Sequence, residues 1–235
     1  MKPSRLNIKL GLSVLQIYQK RPTFTTAMAK GKSPQTTLPD NYLSIASPTD
    51  GLYKDNGSRF LSFAFPCKDA ESAEEIVKRF RKEYYDATHH CYAYRIGLKG
   101  EIWRANDDGE PSSTAGRPIL GEILSRNLSD ILVVVVRYFG GVKLGVPGLI
   151  RAYKAATSEA LEKAETVTKT ATSPMKIVFP YHQTDKVLKE LRKRNIEESD
   201  KKFEEECSLT AHVPLSMTES LRETLLKIED VKICK

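Results

Sequence analysis

The stretch from Ile131 to Ala156, ILVVVVRYFGGVKLGVPGLIRAYKAA, constrains the fold more than any other part of the chain. The apolar run Ile131 to Val136 is rich in β-branched residues and reads as a strand buried on both faces. Charge appears abruptly at Arg137, beside Tyr138 and Phe139. Gly140, Gly141 and Gly145 then form a permissive loop, and Pro147 and Gly148 lead into a helix expected from Leu149 to about Lys163. Strand, glycine-rich loop and helix can turn backbone N–H groups and a helix N-terminus towards an anion. Arg137, Lys143, Arg151 and Lys154 are cationic, and neither Asp nor Glu occurs between Ile131 and Thr157. The loop matches neither GxGxxG nor GxxxxGK[ST], so no nucleotide motif is present. Arg151 and Lys154, three residues apart, share a helix face, which serves equally as an anion site or as a solvated basic face. A plain tight turn is the competing reading of the loop.

The rest of the chain supplies the layers around this strand. Asn41–Ala46 and Ser58–Pro66 read as strands, with a turn region from Gly51 to Gly57 between them. Both faces of Ser58–Pro66 are mostly apolar, the pattern of a central strand. Asp69–Tyr85 reads as an amphipathic helix, with Asp69 as its N-cap. His90–Leu98 and Glu101–Ala105 form a hairpin around Lys99-Gly100. A polar loop, Asn106 to Gly116, precedes a helix that holds Pro118 in its first turn and runs to about Asn127. After a junction at Thr166–Ser173 the order is strand (Met175–Tyr181), helix (Gln183–Asn195), strands (Ile196–Phe203 and Glu206–Pro214), helix (Ser216–Ile228) and strand (Val231–Cys234). That βαββαβ order is the ferredoxin-like pattern. The expected class is therefore α+β in two domains, residues 40–170 and 171–235.

Net charge enters because +7 invites a nucleic-acid reading. Its distribution matters more. Residues 1–39 hold Lys2, Arg5, Lys9, Lys20, Arg21, Lys30 and Lys32 and no acid. The remainder has 37 − 7 = 30 basic against 30 acidic residues and is neutral. Anion binding by the folded body must then come from local clustering, not from the global field. Residues 1–39 are expected to be an extension outside the fold, either a transit-type segment or sequence upstream of a start at Met28. The four cysteines, Cys67, Cys91, Cys207 and Cys234, form no CxxC, which argues against a zinc ribbon and for a reducing, cytoplasmic location. The longest apolar run is far short of a membrane span, so no membrane partner is expected.

Asp107, Asp108 and Glu110 lie in the loop NDDGEPSSTAG. Such carboxylates either hold a divalent cation or serve as acid and base, or they cap turns and the following helix. His89 and His90 point to opposite faces of a strand and cannot jointly grip one metal. His89 and Cys91 share a face, as do Tyr92 and Tyr94, whose default role is core packing. No nucleophile is tied to a histidine by spacing. No catalytic residue, metal ligand or cofactor is assigned.

The segments SRFLSFAFP, THHCYAYRIG, NDDGEPSSTAGRPIL and VVVVRYFGGVKLGVPGLIRAYKAA, in this order, closely resemble the bacterial YigZ-like branch of the IMPACT family. The match spans roughly Tyr42 to Ala164. The resemblance implies a first domain similar to domain IV of elongation factor G and a ferredoxin-like second domain similar to domain V of that factor. Eukaryotic members regulate translation by binding the activator of a starvation-responsive kinase and carry a different partner-binding domain, so that partner does not carry over. The family suggests nucleic-acid or ribosome association and supplies no reaction. Two positions depart from its pattern: Pro147, and Ser113 where glycine is common. The leading expectation is a non-enzymatic RNA- or ribosome-directed protein acting in translation or its regulation. Arg117, Arg137, Lys143, Arg151 and Lys154 would meet phosphates, Tyr138 would stack or hydrogen-bond, and Asp107, Asp108 and Glu110 would order the loop beside them. The alternatives are an enzyme acting on a phosphorylated small molecule or nucleotide with a divalent cation, and a protein-interaction module.

Overall fold

The apolar run becomes the centre of a five-stranded sheet. A computed structural model describes residues 40–234; the extension read over residues 1–39 lies outside the described residues. The elements in chain order are β1 (Asn41–Ile45), β2 (Thr49–Asp55), β3 (Ser58–Pro66), α1 (Ala70–Glu83), β4 (His89–Ile96), β5 (Ile102–Asn106), α2 (Gly116–Ser125), β6 (Ile131–Tyr138) and α3 (Gly145–Glu162). They continue with β7 (Thr166–Thr170), β8 (Thr172–Pro180), α4 (Thr184–Lys193), β9 (Glu197–Lys202), β10 (Glu206–Pro214), α5 (Thr218–Leu225) and β11 (Lys232–Cys234). The architecture is mixed α+β, as expected.

The first sheet runs β2-β3-β6-β4-β5, with every neighbouring pair antiparallel. Ile131 to Val136 are fully buried because β6 is central and both faces are covered. On one face α1 packs Phe80 against Phe63 and Phe65. On the other, α2 and α3 lie over Phe60, Ala64, Cys91, Ala93, Val133 and Val135. The α1 start is set by Asp69, whose carboxylate accepts the Ser72 N–H at 2.7 Å. Tyr92 and Tyr94 are buried.

The second sheet has the order β11-β8-β10-β9, again antiparallel throughout. Counted from β8 this is 4-1-3-2, the ferredoxin-like arrangement read from the βαββαβ order. Met175, Ile177 and Phe179 alternate on β8, and Leu209, Ala211 and Val213 on β10. They join Val187, Leu191, Leu221 and Leu225 in a core separate from that of the first sheet. β1 and β7 form a two-stranded ribbon, tied to the first sheet by the Tyr42 hydroxyl, which donates to Asp130 at 2.5 Å.

Two expectations are corrected. The region Gly51–Gly57 is not a turn throughout: Thr49–Asp55 is strand β2, paired residue for residue with β3, and only Asn56 and Gly57 turn the chain. Gly51 is buried against α3, where a Cβ would meet the Ala160 backbone N at 2.7 Å, so the glycine that suggested a bend marks a close approach. Helix α3 begins at Gly145, not at Leu149. Pro147 and Gly148 form its first turn, where a proline lacks no needed N–H.

Candidate nucleic-acid interface

Each acid of the loop between β5 and α2 ends on protein donors. One Asp107 oxygen accepts the Ala115 and Gly116 N–H groups at 2.9 and 2.8 Å, and the other accepts Ser113 N–H at 2.9 Å. Asp107 therefore satisfies orphan donors at the start of α2, favourably placed for the helix dipole. The Ser113 N–H bond also holds that residue at φ 63°, a left-handed conformation in which glycine is at ease. Asp108 pairs with Arg81 of α1 at 2.5 Å and accepts the His90 backbone N–H at 2.6 Å. Glu110 is buried; its Oε1 accepts from Arg137 Nη1 at 2.5 Å and from the Tyr153 hydroxyl at 2.8 Å. Cys91 Sγ lies 3.2 Å from that hydroxyl and 3.0 Å from the Asp107 carbonyl oxygen, which accepts its proton. Burial pushes the Tyr153 phenol and the Cys91 thiol far up, so both stay protonated donors. Among the described residues no group of three or more His, Cys, Asp and Glu could hold a metal ion.

The cations divide into two kinds. Arg137 is buried, clamped on Glu110, with its guanidinium carbon 5.4 Å from the Phe60 ring centroid and 5.6 Å from that of Phe139. Its Nε has no hydrogen-bond partner, and the facing rings offer cation–π attraction instead. The Arg137 placement follows from strand alternation: it shares a face with Val135 and Val133, beneath α3. Tyr138 therefore lies on the opposite face. Its hydroxyl donates to Asp86 at 2.9 Å, Arg59 sits over its ring at 4.8 Å, and burial together with Asp86 pushes its pKa up to about 12. The expected partnership of Arg137 and Tyr138 on one contact surface is thus split between two faces of the sheet.

Lys143, Arg151 and Lys154 are exposed, on the β6–α3 loop and on α3. Phe139, Val142 and Val146 are exposed beside them. The loop is held close to the β2–β3 turn: the Gly140 N–H donates to Ser58 Oγ at 3.2 Å, and a Cβ on Gly140 would fall 1.9 Å from the Gly57 carbonyl carbon. Arg117, at the start of α2, is also exposed, and its guanidinium lies 5.2 Å over the Trp103 ring. Sequence reading missed Tyr153, although its signal was present: it falls on the buried stripe Leu149, Ala152, Tyr153, Ala156, Ala160 of α3, where a hydroxyl must find a partner.

The Impact N-terminal domain matches residues 56–161. The chain is 35% identical to the IMPACT family member YvyE of Bacillus subtilis (strain 168) over 175 residues, covering 74% of this chain and 81% of that protein. It is 34% identical to the IMPACT family member YigZ of Escherichia coli (strain K12) over 146 residues, covering 61% and 72%. A crystal structure described as that of a hypothetical protein superposes with a TM-score of 0.66 at 28% identity, over 83% of this chain and 97% of that one.

Proposed function

The chain belongs to the IMPACT family, and from that membership and the surface around α3 we propose that it is a cytoplasmic, non-enzymatic protein that associates with RNA or the ribosome in translation or its regulation. The observation that carries the reading is the separation of charges. Lys143, Arg151 and Lys154 face solvent in a stretch without acids, while Asp107, Asp108 and Glu110 are engaged by protein donors. Free lysine and arginine side chains can release counterions from a phosphate backbone. Exposed Phe139 and Val146 add apolar contact at the same place. Buried Arg137 acts by fixing the loop through Glu110 rather than by meeting phosphate. Carboxylates already engaged by N–H, hydroxyl and guanidinium donors are poorly placed to bind a cation, so the enzyme alternative has less support.

In this reading residues 40–170 form the contact domain and residues 171–235 a ferredoxin-like companion, with the boundary between β7 and β8. Sedimentation of the native protein through a ribosome profile, with and without nuclease, tests it. Co-migration with ribosomal particles that nuclease abolishes is expected. A position at the top of the gradient in both cases, or nuclease-resistant co-migration with a protein partner, contradicts it.

A further inference from the structure

We infer that Trp103 and Arg117 form a stacking site for one base of a single-stranded RNA segment, distinct from the α3 surface. The inference rests on the RNA reading above and gives it a second, chemically different contact. β5 is an edge strand of the first sheet, and Trp103 stands on it half exposed. Trp103 pairs with Arg95 across the β4–β5 ladder and shares its face, the face that carries α2. There a cleft of about 230 Å³ opens between the strand and the helix, lined by Arg95, Lys99, Trp103, Arg117, Leu120 and Leu124.

Three features select the occupant. The cleft is smaller than the roughly 300–1,000 Å³ of pockets that enclose a whole small ligand. It suits one planar ring whose remaining atoms lie outside, as in a polymer. The lining is apolar or cationic and contains no acid. The carboxylate on the hairpin, Glu101, is turned to the Lys99 backbone N–H at 3.2 Å. A ring flanked by negative charge therefore fits better than the neutral aromatic side chain of a peptide. Arg95 is held by the Leu128 and Lys99 carbonyls at 2.7 and 2.9 Å, so it contributes field, while Lys99 and Arg117 supply the phosphate contacts. Arg117 already lies over Trp103, and a base adds to that stack through its own π-face.

Trp103 is the single tryptophan of the chain, so its intrinsic fluorescence reports this site alone. In the full-length protein, titration with a short single-stranded RNA should quench that fluorescence saturably. Inorganic polyphosphate, which has charge but no bases, should not. Binding of the same RNA, followed by anisotropy of a label on the RNA, should weaken roughly fivefold or more in Trp103→Ala, and Trp103→Phe should recover part of the loss. If the RNA binds with unchanged tryptophan fluorescence and equal affinity to Trp103→Ala, the stacking site is overturned and the α3 reading stands. Absence of RNA binding by either readout overturns both. Quenching by an aromatic acidic peptide and not by RNA would assign the cleft to a protein partner and overturn the inference.

Discussion

At the scale of single residues, the decisive group is Glu110. It compensates the buried Arg137 guanidinium and accepts from Tyr153, so its loss leaves a charge without its counter-ion and a hydroxyl proton without its acceptor at once. Glu110→Ala should therefore destabilise the protein by about 3–5 kcal/mol, measured as a fall in the urea midpoint at constant slope. Adding Arg137→Ala to it should cost much less than the sum of the two single changes, because both remove one interaction. A second residue-scale prediction concerns Cys67, whose thiol burial pushes up to about 11 from 9.0. Its folded pKa lies above its unfolded one, so the neutral thiol's contribution is complete below pH 9 and lost as pH rises to about 11. The difference in urea midpoint between the wild type and Cys67→Ser should narrow across that window and be constant below it.

At the scale of elements, caps and close approaches set the local structure. Asp69 is held below the usual carboxylate range by the Ser72 N–H it accepts. Asp69→Ala should cost about 1 kcal/mol near neutral pH. Because the folded pKa is the lower one, that cost should be full above the ordinary Asp value of 3.8 and shrink as pH falls through the folded value, where the carboxylate's charge is lost. Thermal denaturation of both proteins across this range checks it. Gly51→Ala should lower stability by about 1–3 kcal/mol through overpacking, since its Cβ would meet Ala160 N, Ser62 Oγ and Glu159 Cβ within 2.8 Å. An unchanged melting temperature would contradict the close packing of β2 under α3.

The same elements show what could be read in advance. The β6 run, the α1 stripe and the βαββαβ order carry strong periodicity, and each appears as expected. β2 was hidden because its Gly and Asp mimic a turn, while its pairing with β3 is non-local. The early start of α3 was hidden because Gly145, Pro147 and Gly148 look like breakers outside a first turn. At the candidate site, the residue types were legible but their engagement was not. Composition cannot tell an Arg137 that faces solvent from one that neutralises Glu110; strand alternation with Val135 and Val133 held that information.

At the scale of the whole molecule, the described residues form two large antiparallel sheets with separate cores and the β1–β7 ribbon, and Lys143, Arg151 and Lys154 lie exposed on loop 139–144 and α3. The buried Glu110–Arg137 pair braces that surface from beneath while Asp107 holds the start of α2, and neither supplies a free charge to a partner. Binding should accordingly depend on Lys143, Arg151 and Lys154 together and respond steeply to salt. The direct measurement is RNA affinity as a function of salt concentration for the wild type and for a Lys143→Ala, Arg151→Ala, Lys154→Ala variant. Each phosphate contact adds about 0.7 to the logarithmic salt slope for a single strand. The variant should bind more weakly at low salt with a slope shallower by about two. An unchanged slope and affinity in a folded variant would show that this surface does not meet phosphate.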